Sequence, residues 1–253
     1  MKKSFFWRIY NYFAGCLIFI FALIITILVL ILDVFLVFTP DLKDDMNWYF
    51  GHLIARFIFF LYGCKVNVEG IDELKDNELT KNNKYCLVAN HTSMFDIMAI
   101  IATGKLRCGF IAKKSLLHIP ILHYYMRHAH CVFVDRKNMR SNIEAIRKGV
   151  ENINKGVPMF IFPEGTRSKT GKLGEFKRGS FKLATRSTNI VVPVAIKGYR
   201  DYLESRTRFS RKGLPEPYMK FLEPIDVSSF NKDEEKIVEM VKRLIENEIE
   251  GTN

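Results

Sequence analysis

The stretch Tyr85-Cys86-Leu87-Val88-Ala89-Asn90-His91-Thr92-Ser93-Met94-Phe95-Asp96 joins an uninterrupted apolar run to a polar turn. The run 85–89 has the length and composition of a buried strand. Ser93 belongs to the residue types that cap helices, so we predict a helix that opens at Met94. A strand, a turn and a helix in this order predict an α/β fold, in which such turns carry reactive groups.

Two interpretations fit the His91 and Asp96 side chains, which stand five positions apart across this turn. A neutral imidazole oriented by a carboxylate is a general base that can take a proton from an alcohol. The same residues also fit a capping box, in which Asp96 reaches back to the backbone N–H of Ser93. Taken alone, the pattern leaves catalysis and capping open.

A second apolar strand, 160–162, runs into another polar turn. Pro163 ends this strand because proline has no N–H to donate to a neighbouring strand. Gly165 permits close approach of the backbone to a ligand, and Arg167 offers a planar fork suited to phosphate. The turn is therefore a candidate for anion binding.

Two further apolar segments, 131–134 and 190–196, read as strands, and Arg136 follows the first of them. If the sheet is largely parallel, the carboxyl ends of its strands meet at one edge. His91, Arg136 and Arg167 would then converge there. For a single arginine a solvated surface charge is the more frequent explanation, whereas two arginines that each follow an apolar strand favour a site.

Helices and apolar strands alternate beyond residue 63, which predicts one α/β domain with a mostly parallel or mixed sheet flanked by helices. The predicted strands are 65–69 and 108–112, the helices are 95–103 and 181–186, and residues 202–217 form a surface loop. Apolar stripes at helical spacing predict two longer helices, from Met139 to Ile153 and from Ile237 to Ile249.

The amino terminus contains two apolar segments. Residues 13–32 carry no charge and, as a helix of about 30 Å, are long enough to cross a bilayer. The segment 48–62 includes Arg56, which makes an isolated span costly. The chain therefore forms either a helical hairpin that enters the membrane and returns, or one spanning helix followed by an interfacial helix. We favour the hairpin, with an anchor at 1–62 and a catalytic domain at 63–253.

The formal net charge of +11 predicts an anionic partner. No nucleic-acid-binding motif is present, so an anionic membrane surface and an anionic lipid fit this charge better. The five cysteines form no Cys-x-x-Cys pair and are predicted to be reduced. Four clustered histidines lack the spacing of metal ligands on one helical face, so we predict no metal: His118, His123, His128 and His130.

The order of motifs resembles the glycerolipid acyltransferase family, and within it the bacterial lysophosphatidate acyltransferases. The resemblance rests on His-x4-Asp at 91–96, an apolar strand before Arg136, Phe-Pro-Glu-Gly-Thr-Arg-Ser at 162–168 and Val-Pro-Val at 192–194. One departure is His123, where the family's pattern has a small residue, often glycine.

The resemblance implies a role for each motif. His91 would be the general base that deprotonates the free sn-2 hydroxyl of lysophosphatidate, and Asp96 would orient it. The hydroxyl oxygen would attack an acyl thioester without a covalent acyl-enzyme, and Val192-Pro193-Val194 would line or support the acyl pocket. The residues implied to bind the acceptor are Lys113, Arg136, Glu164, Gly165, Thr166 and Arg167.

The implied product is phosphatidic acid, made in phospholipid biosynthesis. The implied partners are membrane phospholipid, lysophosphatidic acid and either acyl-CoA or acyl carrier protein as donor, with no cofactor and no nucleic acid. The implied location is the inner (cytoplasmic) membrane, with the catalytic domain on the cytoplasmic face. Glycerol 3-phosphate or another lysolipid stays open as acceptor, and so does a non-catalytic membrane-binding protein of the same fold. A serine hydrolase is not supported, because the chain has no Gly-x-Ser-x-Gly elbow.

Overall fold

Two long helices precede an alternation of strands and shorter helices. The computed structural model describes residues 5–168, 170–204, 213–231 and 233–251, with side chains from residue 9 onward. The α-helices of these residues are α1 (Phe5–Phe35), α2 (Pro40–Tyr62), α3 (Ile71–Asp76), α4 (Phe95–Thr103), α5 (Pro120–His128), α6 (Met139–Asn154), α7 (Lys182–Thr185) and α8 (Glu234–Glu250). The strands are β1 (Asn67–Glu69), β2 (Cys86–Ala89), β3 (Gly109–Lys113), β4 (Val132–Val134), β5 (Met159–Ile161), β6 (Ile190–Lys197), β7 (Tyr218–Phe221) and β8 (Ile225–Asp226).

The strands form one mixed sheet in the order β1-β7-β6-β2-β5-β3-β4, with β8 on β6. The five strands from β6 to β4 run parallel to one another. In contrast, β7 and β8 run antiparallel to β6, and β1 follows the direction of β7. The predicted α/β class with a mixed sheet is confirmed. Because five neighbouring strands are parallel, their carboxyl ends lie at one edge of the sheet, called the carboxyl edge below.

Both faces of the sheet are covered, which explains why β2 is apolar at every position. Successive side chains of a strand point to opposite faces. Accordingly, Leu87 and Ala89 belong to a core with α2 and α4, whereas Cys86 and Val88 belong to a second core with α6 and α8. The uninterrupted apolar run therefore marks a central strand.

The two amino-terminal helices pack against each other as a hairpin, and α2 also packs against the domain. Phe59 of α2 is buried and its ring lies 6.0 Å from that of Phe95 in α4. Among the described helices, α1 alone has the length and composition to cross a membrane, over Ile9–Phe35. The pairing of two helices is confirmed, while an anchor domain bounded at residue 62 stays a prediction.

Polar contacts fix α1 at both of its ends. Near the first end, the Tyr10 hydroxyl donates to the carbonyl of Leu61 in α2. Near the other, the buried carboxylate of Asp33 accepts from Asn47 Nδ2 at 3.2 Å and from the Tyr124 hydroxyl of α5. Lys43 Nζ lies 3.2 Å from the same carboxylate. The charge that interrupts the apolar run is thus neutralised within the protein.

A second polar cluster joins α2 to the amino-terminal edge of the sheet, which is the edge opposite the carboxyl edge. The carboxylate of Asp44 contacts His128 Nδ1 at 2.7 Å and His130 Nε2 at 3.0 Å. Arg107 lies 3.3 Å from Asp44 and also donates to His130 Nε2 at 2.9 Å. Two of the four clustered histidines, one at the end of α5 and one in the turn after it, therefore contact Asp44 of α2.

Several boundaries differ from the sequence-based prediction. Helix α4 spans Phe95–Thr103, which confirms the predicted helix 95–103, although the capping pattern had placed its first residue at Met94. A turn of 3₁₀-helix over 178–181 precedes α7, so 181–186 is not one continuous helix. The predicted loop 202–217 begins inside a π-helical turn, Arg200–Glu204, and residues 205–212 of it lie outside the described residues.

The buried face of α6 also differs from the predicted apolar stripe. Met139 and Ile143 are 73% and 59% exposed, whereas Ala145 and Gly149 are buried. The reason is close packing, because a Cβ at Gly149 would stand 2.9 Å from the Leu183 side chain. The contact face therefore combines these small residues with Ile153 of the predicted stripe, which is fully buried, and the stripe differs from it at Met139 and Ile143.

Candidate active site

The carboxyl edge gathers the residues that the sequence singles out. His91 follows β2, Glu164 and Arg167 follow β5, and Arg136 follows β4. Strands in a sheet lie about 4.8 Å apart, and β4 is three strands from β2. The two turns that follow β2 and β5 are therefore neighbours, while the end of β4 lies roughly 14 Å across the edge.

His91 and Asp96 form a buried pair. His91 Nδ1 lies 3.0 Å from Asp96 Oδ2, and the two residues are 9% and 0% exposed. The same carboxylate oxygen accepts from the backbone N–H groups of Thr92 and Ser93, each at 2.8 Å. Capping and imidazole orientation, which the sequence left as alternatives, are thus performed by one oxygen.

The arrangement leaves one imidazole nitrogen for chemistry. Because Asp96 accepts at Nδ1, the neutral ring carries its proton there, and Nε2 has the lone pair that can take a proton. The Phe162 ring stacks on the imidazole at 4.0 Å with an interplanar angle of 21°. The carboxylate and the aromatic ring together fix the position and the plane of the imidazole.

Glu164 joins the two motifs. Its Oε1 accepts from the backbone N–H of His91 at 2.7 Å, and its Oε2 accepts from that of Gly174 at 3.2 Å. Burial raises the pKa of this carboxyl above its ordinary value, although the two N–H donors favour the charged form. Glu164 therefore has a structural task, and its implied contact with an acceptor stays a prediction.

Asn90 is a site residue that sequence reasoning missed. Its side chain donates to the Ile196 carbonyl at 2.7 Å and accepts from the Ile196 N–H at 2.8 Å. Both bonds join the end of β2 to β6 and hold the residue next to His91. No local signal marks this contact, because the two partners are 106 residues apart.

The turn after β5 presents exposed polar groups to solvent. Gly165 has a φ of +71°, and a Cβ there would stand 2.9 Å from Lys177 Nζ. The Arg167 side chain is 52% exposed, with NH1 4.0 Å from Glu204 Oε1. Thr166 is exposed beside them. Lys177 and Glu204 were not singled out from the sequence, since each reaches the turn from a distant segment.

The remaining implied binding residues lie farther along the edge. Lys113 ends β3 and is exposed, and Arg136 is exposed beyond β4. None of the salt bridges formed by the described residues involves Lys113, Arg136 or Lys177. The edge is therefore a cationic surface suited to an anionic ligand.

The Val192-Pro193-Val194 segment lies inside β6. Val192 and Val194 are fully buried between the sheet and the α2–α4 layer. The Pro193 carbonyl accepts from Leu222 N, just beyond β7, at 2.9 Å. These residues support the sheet beneath the site, and their lining of an acyl pocket stays a prediction.

The family model described as Acyltransferase matches residues 65–197. Similar proteins include a chloroplastic 1-acyl-sn-glycerol-3-phosphate acyltransferase of Arabidopsis thaliana, 35% identical over 162 residues. A second is a 1-acyl-sn-glycerol-3-phosphate acyltransferase of Saccharomyces cerevisiae, 29% identical over 201 residues. The first alignment covers 62% of this chain and 44% of the relative, and the second covers 78% and 63%. The chain thus spans less than two thirds of the length of either relative.

A solved structure resembles nearly the whole chain. The crystal structure of the 1-acyl-sn-glycerophosphate acyltransferase from Thermotoga maritima superimposes with a TM-score of 0.72 at 27% sequence identity. The match covers 96% of this chain and 97% of that one, and so includes the amino-terminal helices.

Proposed function

The chain belongs to the acyltransferase family, and on this premise we propose that it transfers an acyl group from a thioester to the sn-2 hydroxyl of lysophosphatidic acid, forming phosphatidic acid. The observation that carries the proposal is the buried His91–Asp96 pair, 3.0 Å apart and next to the cationic turn of Arg167. The names of the similar proteins support the same acceptor.

In the proposed reaction, His91 Nε2 takes the proton of the acceptor hydroxyl as its oxygen attacks the thioester carbonyl carbon. Asp96 stabilises the imidazolium that forms, as a buried carboxylate does for a histidine base. The carbon–sulfur bond then breaks, and the imidazolium returns its proton to the thiolate. Because a thioester is already activated, positioning and one base suffice for the transfer.

The exposed cations of the edge would bind the acceptor phosphate. Arg167 lies in the turn adjacent to His91, so we assign the first phosphate contact to it, with its planar fork on the phosphate oxygens. Lys113 and Arg136, farther from His91, would contact either the acceptor or an anionic donor carrier. Both acyl-CoA and acyl carrier protein present a phosphopantetheine thioester, and both are candidate donors.

We further propose that α1 anchors the protein in the cytoplasmic membrane, with the catalytic domain on the cytoplasmic side. The apolar span Ile9–Phe35 supports a membrane anchor. The net charge of +11 suits the anionic surface of that leaflet.

Acyl transfer by the purified full-length protein tests the proposal. Labelled acyl-CoA or acyl carrier protein is supplied with lysophosphatidate, glycerol 3-phosphate or lysophosphatidylcholine. We expect product with lysophosphatidate, and a rate lower by about 10³-fold in His91→Ala, since a general base contributes of order 10²–10⁴. The matched control is His118→Ala, which removes an exposed histidine outside the pair.

The outcomes separate the alternatives. Product with another acceptor would retain the base and change the substrate. Retained turnover in His91→Ala would refute the assigned base. Folded protein without transfer to any acceptor would favour the non-catalytic membrane-binding protein.

A further inference from the structure

Glu204 lies at the carboxyl edge, although none of the sequence motifs includes it. It is the last residue of the π-helical turn Arg200–Glu204, which follows β6. Its carboxylate oxygen Oε1 accepts from Ser93 Oγ and from the backbone N–H of Met94, each at 2.8 Å. Ser93 and Met94 stand between His91 and Asp96, so Glu204 holds the segment that joins the two members of the pair.

The contacts of Glu204 satisfy the start of α4. The first N–H groups of a helix have no partner within it. Here Met94 N donates to Glu204, Phe95 N donates to Ser93 Oγ at 3.0 Å, and Ser93 N donates to Asp96. The negative charge also lies at the positive end of the helix dipole. Without Glu204, the turn 92–96 would lose two hydrogen bonds to the segment that follows β6.

The same oxygen of Glu204 also faces Arg167. Arg167 NH1 lies 4.0 Å from Glu204 Oε1, which is longer than a hydrogen bond, and half of the arginine side chain is exposed. A phosphate offers a guanidinium two short, charge-assisted bonds. An acceptor phosphate would therefore bind Arg167 more strongly than Glu204 does, while the two bonds from the turn to Glu204, each 2.8 Å long, stay in place.

We propose that Glu204 is a positioning residue that couples acceptor binding to the catalytic turn. Its carboxylate holds the turn 92–96 in place and competes with the acceptor phosphate for Arg167. This inference rests on the proposed function, and it adds a residue that neither touches the substrate nor transfers a proton.

Two substitutions separate the two tasks of the carboxylate. Glu204→Gln keeps an oxygen that can accept from Ser93 and Met94 but removes the charge that competes for Arg167. We expect its KM for lysophosphatidate to fall by about two- to fivefold, the range of an exposed ion pair, with kcat within about twofold of the wild type. Glu204→Ala removes both tasks, and its kcat should fall by at least about tenfold, because a misplacement of about 1 Å costs of order 100-fold.

A double-mutant cycle tests whether the effect passes through Arg167. The fall in KM caused by Glu204→Gln should vanish in an Arg167→Ala background. The control Glu239→Gln makes the same change of charge at an exposed residue of α8 and should leave kcat and KM unaltered. A merely structural role would lower the melting temperature of Glu204→Ala without splitting kcat from KM between the two variants.

Unchanged kcat in Glu204→Ala would overturn the positioning role, and an unchanged or raised KM in Glu204→Gln would overturn the competition. The dissociation constant of lysophosphatidate, measured by calorimetry without donor, provides a readout independent of turnover. It should fall two- to fivefold in Glu204→Gln, by the same reasoning on an exposed ion pair. If the wild type transfers no acyl group, the proposed function fails while this comparison still decides the competition.

Discussion

Two edges of the same sheet each contain a histidine–aspartate pair, and they differ in what surrounds the pair. At the carboxyl edge, Asp96 contacts one imidazole, His91, and is held by two backbone N–H groups. At the amino-terminal edge, Asp44 is shared by His128, His130 and Arg107. The first arrangement orients one imidazole and leaves its Nε2 available, whereas the second shares the carboxylate among two imidazoles and a guanidinium.

The comparison shows that a short distance between imidazole and carboxylate does not identify a general base. His128 is closer to its carboxylate, at 2.7 Å, than His91 is to Asp96, at 3.0 Å. What distinguishes the carboxyl edge is a single imidazole, a ring stacked on Phe162 and an exposed guanidinium, that of Arg167, whose carboxylate partner Glu204 is 4.0 Å away. These are the conditions for accepting a proton beside an anionic substrate.

The same substitution should lower activity strongly in the first pair and leave it nearly unchanged in the second. Asp96→Asn removes the charge that stabilises the imidazolium of His91, so we expect kcat to fall by about 10²- to 10³-fold. Asp44→Asn should leave kcat within about threefold, since an interaction far from the reacting atoms contributes little to the barrier. Initial rates at saturating donor and acceptor measure both, and comparable losses in the two variants would break the distinction.

Removal of the Asp44 carboxylate should instead lower the stability of the fold. Asp44→Ala leaves Arg107 and two histidines without their shared acceptor, so we expect the free energy of unfolding to fall by about 2 kcal/mol. The control Asp45→Ala removes a more exposed contact with Arg107 and should cost less than about 1 kcal/mol. Chemical denaturation in detergent gives both values, and equal costs would argue against a cooperative cluster.

The amino-terminal edge should also respond to pH. Burial lowers the pKa of His130 below its ordinary value, with Arg107 and His128 acting in the same direction and Asp44 opposing them. The unfolded chain then binds more protons than the folded chain in the window below pH 6.5, so stability falls as the pH drops through that window. His130→Asn should flatten this slope in thermal unfolding between pH 7.5 and 5.5, whereas an unchanged slope would place the titrating group elsewhere.

The smallest expected effect concerns the hydroxyl of Tyr199, near the carboxyl edge. Tyr199 is fully buried after β6, and its hydroxyl has no hydrogen-bond partner among the described residues. Burial raises the pKa of Tyr199, so the hydroxyl is neutral and removing it leaves no charge behind. Tyr199→Phe should therefore change the free energy of unfolding by less than about 0.5 kcal/mol and leave kcat unchanged. A marked loss of activity would show instead that the Tyr199 hydroxyl acts on the His91–Asp96 pair.

Local patterns in the sequence predicted most of the fold. The apolar runs before His91 and Pro163 became neighbouring parallel strands, and the stripe of α8 became a buried helix face. These features depend on residues close in sequence, whose periodicity reports burial directly. The shifted face of α6 shows the limit, because the space that Gly149 leaves for Leu183 depends on a partner element.

The site likewise contains both local contacts, which the sequence indicates, and long-range contacts, which it does not. His91 and Asp96 lie within one turn, so their spacing drew attention to the pair, although it left catalysis and capping open. Asn90 and Glu204 reach partners more than 100 residues away, at Ile196 and Ser93. Such contacts are set by the order of strands in the sheet, which no local pattern encodes, and Glu164 likewise gained its bond to the His91 backbone only through the pairing of β2 with β5.

The polar contacts at the two ends of α1 fix the position of this helix relative to the carboxyl edge. Tyr10 joins one end to α2, and Asp33 joins the other end to α2 and α5. The helix can therefore neither slide along its axis nor tilt away from the domain without separating a buried carboxylate from its partners. If α1 spans a bilayer as proposed, these contacts would keep that bilayer at a set height relative to His91, and the proposed lipid acceptor would have to rise a fixed distance from its leaflet to reach the imidazole.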